Sequence, residues 1–178
     1  MSETESLKEN VGPFEQFLAE DFREAFRQFP AGVAVVTADI GEGPVAMTVS
    51  SLASVGLEPP SVVFSISPLS SSTPTIKNAQ SIVIHLLTHN HANLGKICAT
   101  SNIDRFDAGE EWDTLPTGEP LFQNVAAWMR AEIRKQVDVS GSILIVAEIT
   151  HGNILESEGA PLAYVNREWH ALNSASLL

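Results

Sequence analysis

Between Ala126 and Val139 apolar and polar residues alternate without a break. Met129, Ala131, Ile133, Val137 and Val139, with Lys135 among them, lie on one side, and Trp128, Arg130, Glu132, Arg134, Gln136 and Asp138 on the other. A period of two is the period of a strand, because successive side chains point to opposite faces of the pleat. Ser140-Gly141 follows as a turn, and Ser142–Leu155 (SILIVAEITHGNIL) reads as a second long strand. Two such strands joined by so short a connection dictate an antiparallel sheet protein.

Other segments add to that sheet. Gly32–Ala38 (GVAVVTA) reads as a buried strand, Asp39–Pro44 as a hairpin loop with glycines for positive φ, and Val45–Ser51 as the returning strand. After the turn-like GLEPP, Pro59-Pro60 sets an extended entry into a strand over Ser61–Ser67. Ser81–Leu87 (SIVIHLL) is a central strand and Pro161–Val165 a short last one. Helices are few. Phe14, Phe17, Leu18, Phe22, Ala25, Phe26 and Phe29 recur at helical spacing, predicting an amphipathic helix over Phe14–Phe29 that Pro30 stops. Its apolar stripe would cap the core or, in part, face a second subunit. Thr73–Gln80 predicts a short helix, with Thr73 at the cap and Pro74 at the first helical position. Asn90–Ala99 predicts another, with Leu94, Ile97 and Cys98 on its apolar side. Thr100–Pro120 reads as an acidic, irregular loop or lid. The pattern is that of a mainly β protein, a β-barrel with peripheral helices, and not of alternating β-α-β units.

Charge and composition exclude several functions. A hydrophobic fraction of 44% and a charged fraction of 18% in 178 residues suit one globular domain over 14–178, behind a disordered polar tail over 1–13. A formal net charge of -12 argues against a nucleic-acid partner and against an anionic membrane surface. Cys98 is the single cysteine, so no internal disulfide can form, and the acidic N-terminus lacks the basic and apolar regions of a signal peptide. These features place the protein in the cytoplasm.

The stretch most suited to a ligand is Val45–Ile76. Its strands alternate with loops of hydroxyls and small side chains, including Ser70, Ser71, Ser72, Thr73 and Thr75, and it contains no Lys, Arg or His. Such loops let a ligand approach the backbone, and their N–H and O–H groups can hold an anion. A Ser/Thr-rich edge of an ordinary β-domain has the same composition. Arg105, Arg130, Arg134, Arg167, Lys77 and Lys96 are the cations available to a phosphate, and spacing does not select among them. His85, His89 and His91 match no metal-binding signature, and we expect no metal site. His85 sits mid-strand, as an interior or rim histidine or as a ligand-positioning one. Glu110-Glu111 and Asp104/Asp107 read as a solvated loop face, Cys98 as core, and no GxSxG, GxGxxG or GxxxxGK[ST] is present.

Taken together, FREAFRQFPAGVAVVTA (Phe22–Ala38), AMTVSSLASVGLEPPSVVFSI (Ala46–Ile66), SIVIHLL (Ser81–Leu87), GEPLF (Gly118–Phe122) and PLAYVNREWHAL (Pro161–Leu172) resemble the short-chain flavin reductases. The resemblance implies an FMN-binding split β-barrel, Greek-key-like, in a homodimer. It implies an NAD(P)H-dependent reductase of FMN, or of FAD in some members, that supplies reduced flavin to a separate monooxygenase. Carried over by motif, the flavin contacts fall on Thr48, Val49, Ser50, Ser51, Leu52, Ser54 and Val55, on Ser70, Ser71, Thr75 and Ile76, and on Ser101. No side chain serves as nucleophile or general base. One departure stands out. The family's Gly-Asp-His, whose histidine is tied to nicotinamide, is Ser140-Gly141-Ser142, which puts Ser142 on the nicotinamide side. The alternative is a flavin-binding protein of the same fold with little or no reductase activity.

Overall fold

The computed structural model describes residues 16–155 and 159–177. The expected tail over 1–13, and Phe14 of the expected helix, lie outside them.

The chain runs α1 (Ala19–Arg27), β1 (Ala31–Gly32), β2 (Ala34–Ala38), β3 (Val45–Val49), β4 (Ala53–Leu57), β5 (Pro60–Ile66), α2 (Thr73–Asn78), β6 (Ser81–Leu86), α3 (Ala92–Ala99), β7 (Trp112–Thr114), β8 (Pro120–Phe122), β9 (Ala127–Val139), β10 (Ser142–Ile154), β11 (Leu162–Val165) and β12 (Glu168–Ala171). The main sheet has the order β3-β2-β6-β9-β10-β5-β4, all antiparallel, with a small sheet β1-β11-β12 and a hairpin β7-β8 beside it.

The two long strands are the frame. β9 pairs with β10 along its whole length and with β6 over Ala127–Glu132, and register shifts at Val146/Ala147 and Ile149/His151 add the local twist that curls the sheet. The curl brings opposite edges onto one core. Met47 and Val49 of β3 pack with Val62, Phe64 and Ile66 of β5, along with Ile82, Ile84 and Ile145 between. β3 and β5 share no ladder bonds, so the barrel is split there. A second apolar layer lies outside β2: Val33, Val35 and Ala46 meet Leu94 and Cys98 of α3, Phe122 of β8 and Leu162 of β11. Every residue of β2 is buried for this reason, even numbers facing the barrel and odd numbers the outer layer.

Several expectations change in detail. The strand read over Gly32–Ala38 is broken at Val33, whose amide donates to the Leu162 carbonyl and whose carbonyl accepts from Leu87, so its first residues join the small sheet. The strand read over Val45–Ser51 ends at Val49. Within the turn-like GLEPP the turn falls at Glu58-Pro59, while Gly56 and Leu57 end a strand β4 over Ala53–Leu57 that the reading did not include and that forms a hairpin with β5. Ser72 caps α2, and Thr73 is its first residue. The loop read over Thr100–Pro120 contains β7 and leads into β8; Trp112 of β7 and Phe122 of β8 meet Phe106 edge-on and stacked, respectively. The largest correction concerns α1. It is shorter than the Phe14–Phe29 reading, buries no residue, and leaves Phe22, Phe26 and Phe29 exposed by 54%, 59% and 67%. The stripe does not cap this chain's core.

Candidate flavin site at the barrel split

The segment Ser50–Leu52 crosses from β3 to β4 at the split. Ser51 is fixed there by Ser65 of β5: its Oγ accepts from the Ser65 amide at 2.9 Å and from the Ser65 hydroxyl at 3.1 Å, and donates to the Ser65 carbonyl at 3.3 Å. Beside it lies a cleft of about 720 Å³, walled by Ser50–Ala53, by Phe26 and Phe29 at the end of α1, and by the β11–β12 turn. Arg23, Arg27 and Arg167 stand on its rim, Arg27 paired with Glu24 at 2.8 Å. Ile143 of β10 pairs with Ile66, so Ser142, one residue earlier, comes to the same end of the barrel as Ser67.

The Ser67–Ser72 loop then folds back along β3. Thr73 Oγ1 donates to the Ser67 carbonyl at 2.6 Å, and Ser72 Oγ donates to the Ala46 carbonyl at 2.7 Å. The amides of Ser70, Ser72 and Thr73 are engaged within the loop, so fewer of the loop N–H groups expected to hold an anion are free. A cation takes part instead. Arg105 Nη1 donates to Ser72 Oγ at 2.6 Å and its Nη2 to the Thr100 carbonyl at 2.9 Å. Among the described residues Arg105 Nε is the one buried side-chain polar atom with no hydrogen-bond partner. Arg105, Ser71, Ser72 and Val45 line a cavity of about 320 Å³.

The residues singled out by sequence therefore fall at two ends of β3, with their side chains in unequal positions. Ser50, Ser51, Ser54, Val55, Ser71 and Ser101 are exposed, and Leu52, Ser70 and Thr75 half-buried. Val49 and Ile76 point into the core, so any ligand meets only their main chain. Thr48 Oγ1 is bound to the Gly95 carbonyl at 2.6 Å. Among the described residues no hydrogen bond engages the hydroxyls of Ser50, Ser54, Ser71 and Thr75. Free hydroxyls plus one anchored guanidinium fit a phosphate-bearing organic cofactor such as FMN.

Other candidates are accounted for structurally. His85 is wholly buried; its Nδ1–H donates to the Val35 carbonyl at 3.0 Å and its Nε2 accepts from the Phe122 amide at 3.1 Å. Burial pulls its pKa down from 6.5 to about 4, against the opposing Val35 bond. His89 Nδ1 accepts from the Ala160 amide, and His91 bonds Thr88 and the Asn124 carbonyl. Among the described residues no group of three or more His, Cys, Asp or Glu could hold a metal ion. Cys98 is core, its thiol pushed up to about 12 by burial, with Arg105 opposing and Glu110 assisting. Glu119 escaped the sequence reading. It is 2% exposed and gathers Ser81, Thr117 and, at 2.8 Å, Arg130. Arg134 pairs with Glu132 and Glu148, both at 2.9 Å.

The family with the description "Flavin reductase like domain" matches residues 26–173. The chain belongs to the flavin reductase like family. The NADH:FMN oxidoreductase of Rhodococcus erythropolis is 42% identical over 149 residues, spanning 82% of this chain and 78% of that protein. A flavin reductase domain protein from Arthrobacter sp. FB24 has the same fold, with a TM-score of 0.82 at 30% identity over 86% of this chain and 95% of that one. The styrene monooxygenase flavin reductase SMOB of Pseudomonas putida S12 aligns with a TM-score of 0.76 at 25% identity over 86% and 97% of the two chains. Membership agrees with the resemblance carried by the sequence segments above, and the split between β3 and β5 gives the split-barrel fold its physical form in this chain. No helix among the described residues is long and apolar enough to cross a membrane.

Proposed function

We propose that this protein is an NADH-dependent FMN reductase, with FAD and NADPH as possible substitutes, that supplies reduced flavin to a separate flavin-dependent monooxygenase. The observation that carries the reading is the family match over residues 26–173, with 42% identity to an NADH:FMN oxidoreductase. We place the protein in the cytoplasm, in keeping with its one buried cysteine.

The flavin would supply the redox chemistry, as a two-electron acceptor for hydride from the nicotinamide. The chain's part is to bind and orient. Ser50 and Ser54 offer free hydroxyls beside the split, and Ser71 and Thr75 offer them along the returning loop. Thr48, Val49, Ser51, Leu52, Val55, Ser70, Ile76 and Ser101 form the surrounding wall, chiefly through their main chain. No residue is assigned as nucleophile or general base.

The exposed faces support a homodimer. Phe22 and Phe26 on α1, Phe29 just after it, Val55 and Leu57 on β4 and Ile154 on β10 are each more than half exposed. This much apolar surface is unusual for a monomer. A second subunit would cover it and close the large cleft beside Ser50–Ala53.

Steady-state NADH oxidation with added FMN tests the main reading. Turnover that requires flavin is expected, and none with either NADH or NADPH would overturn it. The second reading, flavin binding without useful reduction, is favoured by Ser142, a small neutral side chain where the family's nicotinamide histidine stands. Tight FMN binding with negligible NADH oxidation would select it.

A further inference from the structure

We infer that Arg23, Arg27 and Arg167 form an electrostatic mouth that draws in the anionic nicotinamide reductant against the field of a chain of net charge -12. The inference rests on the flavin-reductase reading above. Three of the six arginines in the sequence line the cleft beside Ser50–Ala53, and among the described residues no Asp or Glu does. That is the reverse of the whole chain, where acids outnumber Lys and Arg by 22 to 10. Arg23 and Arg167 are exposed, and among the described residues neither side chain has a hydrogen bond or ion pair. Arg27 is paired with Glu24 at 2.8 Å, and Glu168, next to Arg167, stands 4.0 Å from His170.

Arg167 is held at this mouth in an unfavourable backbone conformation. Val165 pairs with Glu168, so Asn166-Arg167 is a two-residue hairpin turn, with φ of 52° and 65°. Both values are left-handed, and glycine takes the second position of such a turn most readily. An arginine there lowers stability, and no internal contact of its side chain offsets the loss. A strained residue without such a contact points to a role for the side chain. The Asn166 amide donates to the Arg27 carbonyl at 2.7 Å, which sets the turn against the end of α1. Arg23 and Arg27 each lie about 100° round the helix from the phenylalanine that precedes them. A second subunit on the phenylalanines would therefore close one side of the cleft and leave the arginine side as its opening.

A cluster of one sign in a cleft concentrates ions of the opposite sign, and salt screens the effect. NADH carries its charge on a diphosphate, and NADPH has a further phosphate. The net charge of the chain repels both, so the sign of the salt dependence reports which field the reductant meets.

Steady-state kinetics of the full-length protein with FMN kept saturating tests the inference. Ionic strength is varied from about 0.01 M to about 1 M, over which the screening length falls from about 30 Å to about 3 Å. Wild-type kcat/KM for NADH is expected to fall about fivefold or more, with kcat within about twofold, and to fall more steeply for NADPH. Uncharged riboflavin in place of FMN should leave that profile unchanged. The double variant Arg23→Gln/Arg167→Gln should lose about fivefold in kcat/KM at low salt, match wild type at high salt, and give a flat or rising profile. Arg167→Gly should keep or raise Tm, because glycine suits the turn, and still weaken NADH capture at low salt. A wild-type kcat/KM that is flat or rises with salt, an unchanged profile in the double variant, or a salt effect that vanishes with riboflavin would overturn the inference and leave the reductase reading standing. Absence of flavin-dependent turnover with both nucleotides would overturn both.

Discussion

Ser51 and Ser65 hold the split of the barrel together. One hydroxyl accepts the amide of the facing residue at 2.9 Å and donates back to its carbonyl at 3.3 Å, doing with a side chain what a ladder would otherwise do between β3 and β5. The reason for the split is at hand: a continuous ladder would fix the backbone of Ser50–Leu52 against β5 and leave no opening. Ser51→Ala should cost about 1 kcal/mol, the net value of a hydrogen bond with partial exposure. For a chain of this size that is a fall of roughly 2–4 °C in Tm. Calorimetry measures it, and flavin affinity should drop with it because the wall beside Ser50 loosens.

His85 sets an acid limit on stability. The Phe122 amide donates to Nε2, so that nitrogen is unprotonated in the folded state, and a proton there would face another N–H. The folded pKa of about 4 lies below the ordinary 6.5, so the unfolded chain binds the proton first as pH falls. The contribution is complete above pH 6.5 and is lost between there and pH 4. From pH 7 to pH 5 urea unfolding should show a loss of about 2 kcal/mol. His85→Gln, which can still donate to one partner and accept from the other, should flatten that slope.

Glu119 acts at lower pH and through a different cause. Burial raises its pKa, but the hydroxyls of Ser81 and Thr117, its own backbone amide and the Arg130 guanidinium together outweigh burial and hold it below the usual carboxylate value. Its stabilisation is therefore present above the unfolded carboxylate pKa and disappears as pH falls through the folded one. Glu119→Gln at pH 7 should destabilise by about 3 kcal/mol, since Arg130 is left without its buried partner. A double-mutant cycle with Arg130→Met should recover much of that loss. Strict additivity would show that the pair is not coupled.

Gly95 is required by Trp169. A Cβ at Gly95 would lie 2.8 Å from Trp169 Cζ3 and 3.1 Å from Cη2, and Trp169 is itself held edge-on by Tyr164 with ring centroids 5.2 Å apart. Gly95→Ala should cost about 1–3 kcal/mol by overpacking. It should also shift the tryptophan emission, and it should loosen the Thr48 hydroxyl from the Gly95 carbonyl that it binds at 2.6 Å.

Much of the frame was legible in the alternation of Ala126–Val139 and of Ser142–Leu155, because pleat direction is a property of neighbouring residues. Both long strands are found, at Ala127–Val139 and Ser142–Ile154. β4 was missed because Gly56, Leu57 and two prolines read as a turn, whereas pairing with β5 made Ala53–Leu57 a strand. The helical spacing of the phenylalanines correctly gave a helix, but spacing defines an apolar face without naming what covers it.

The sequence by itself determined a twisted antiparallel sheet, a hydroxyl-rich crossing between strands and the family to which they belong. These are encoded in residues close together in the chain. Only the tertiary structure decided which arginine meets the serine loop, that Glu119 is buried, and that Ser51 and Ser65 bridge the split of the barrel. Arg105 and Ser72 are thirty-three residues apart in sequence and 2.6 Å apart in space. Contacts of that kind depend on how α3 and the barrel pack, and no local periodicity records it.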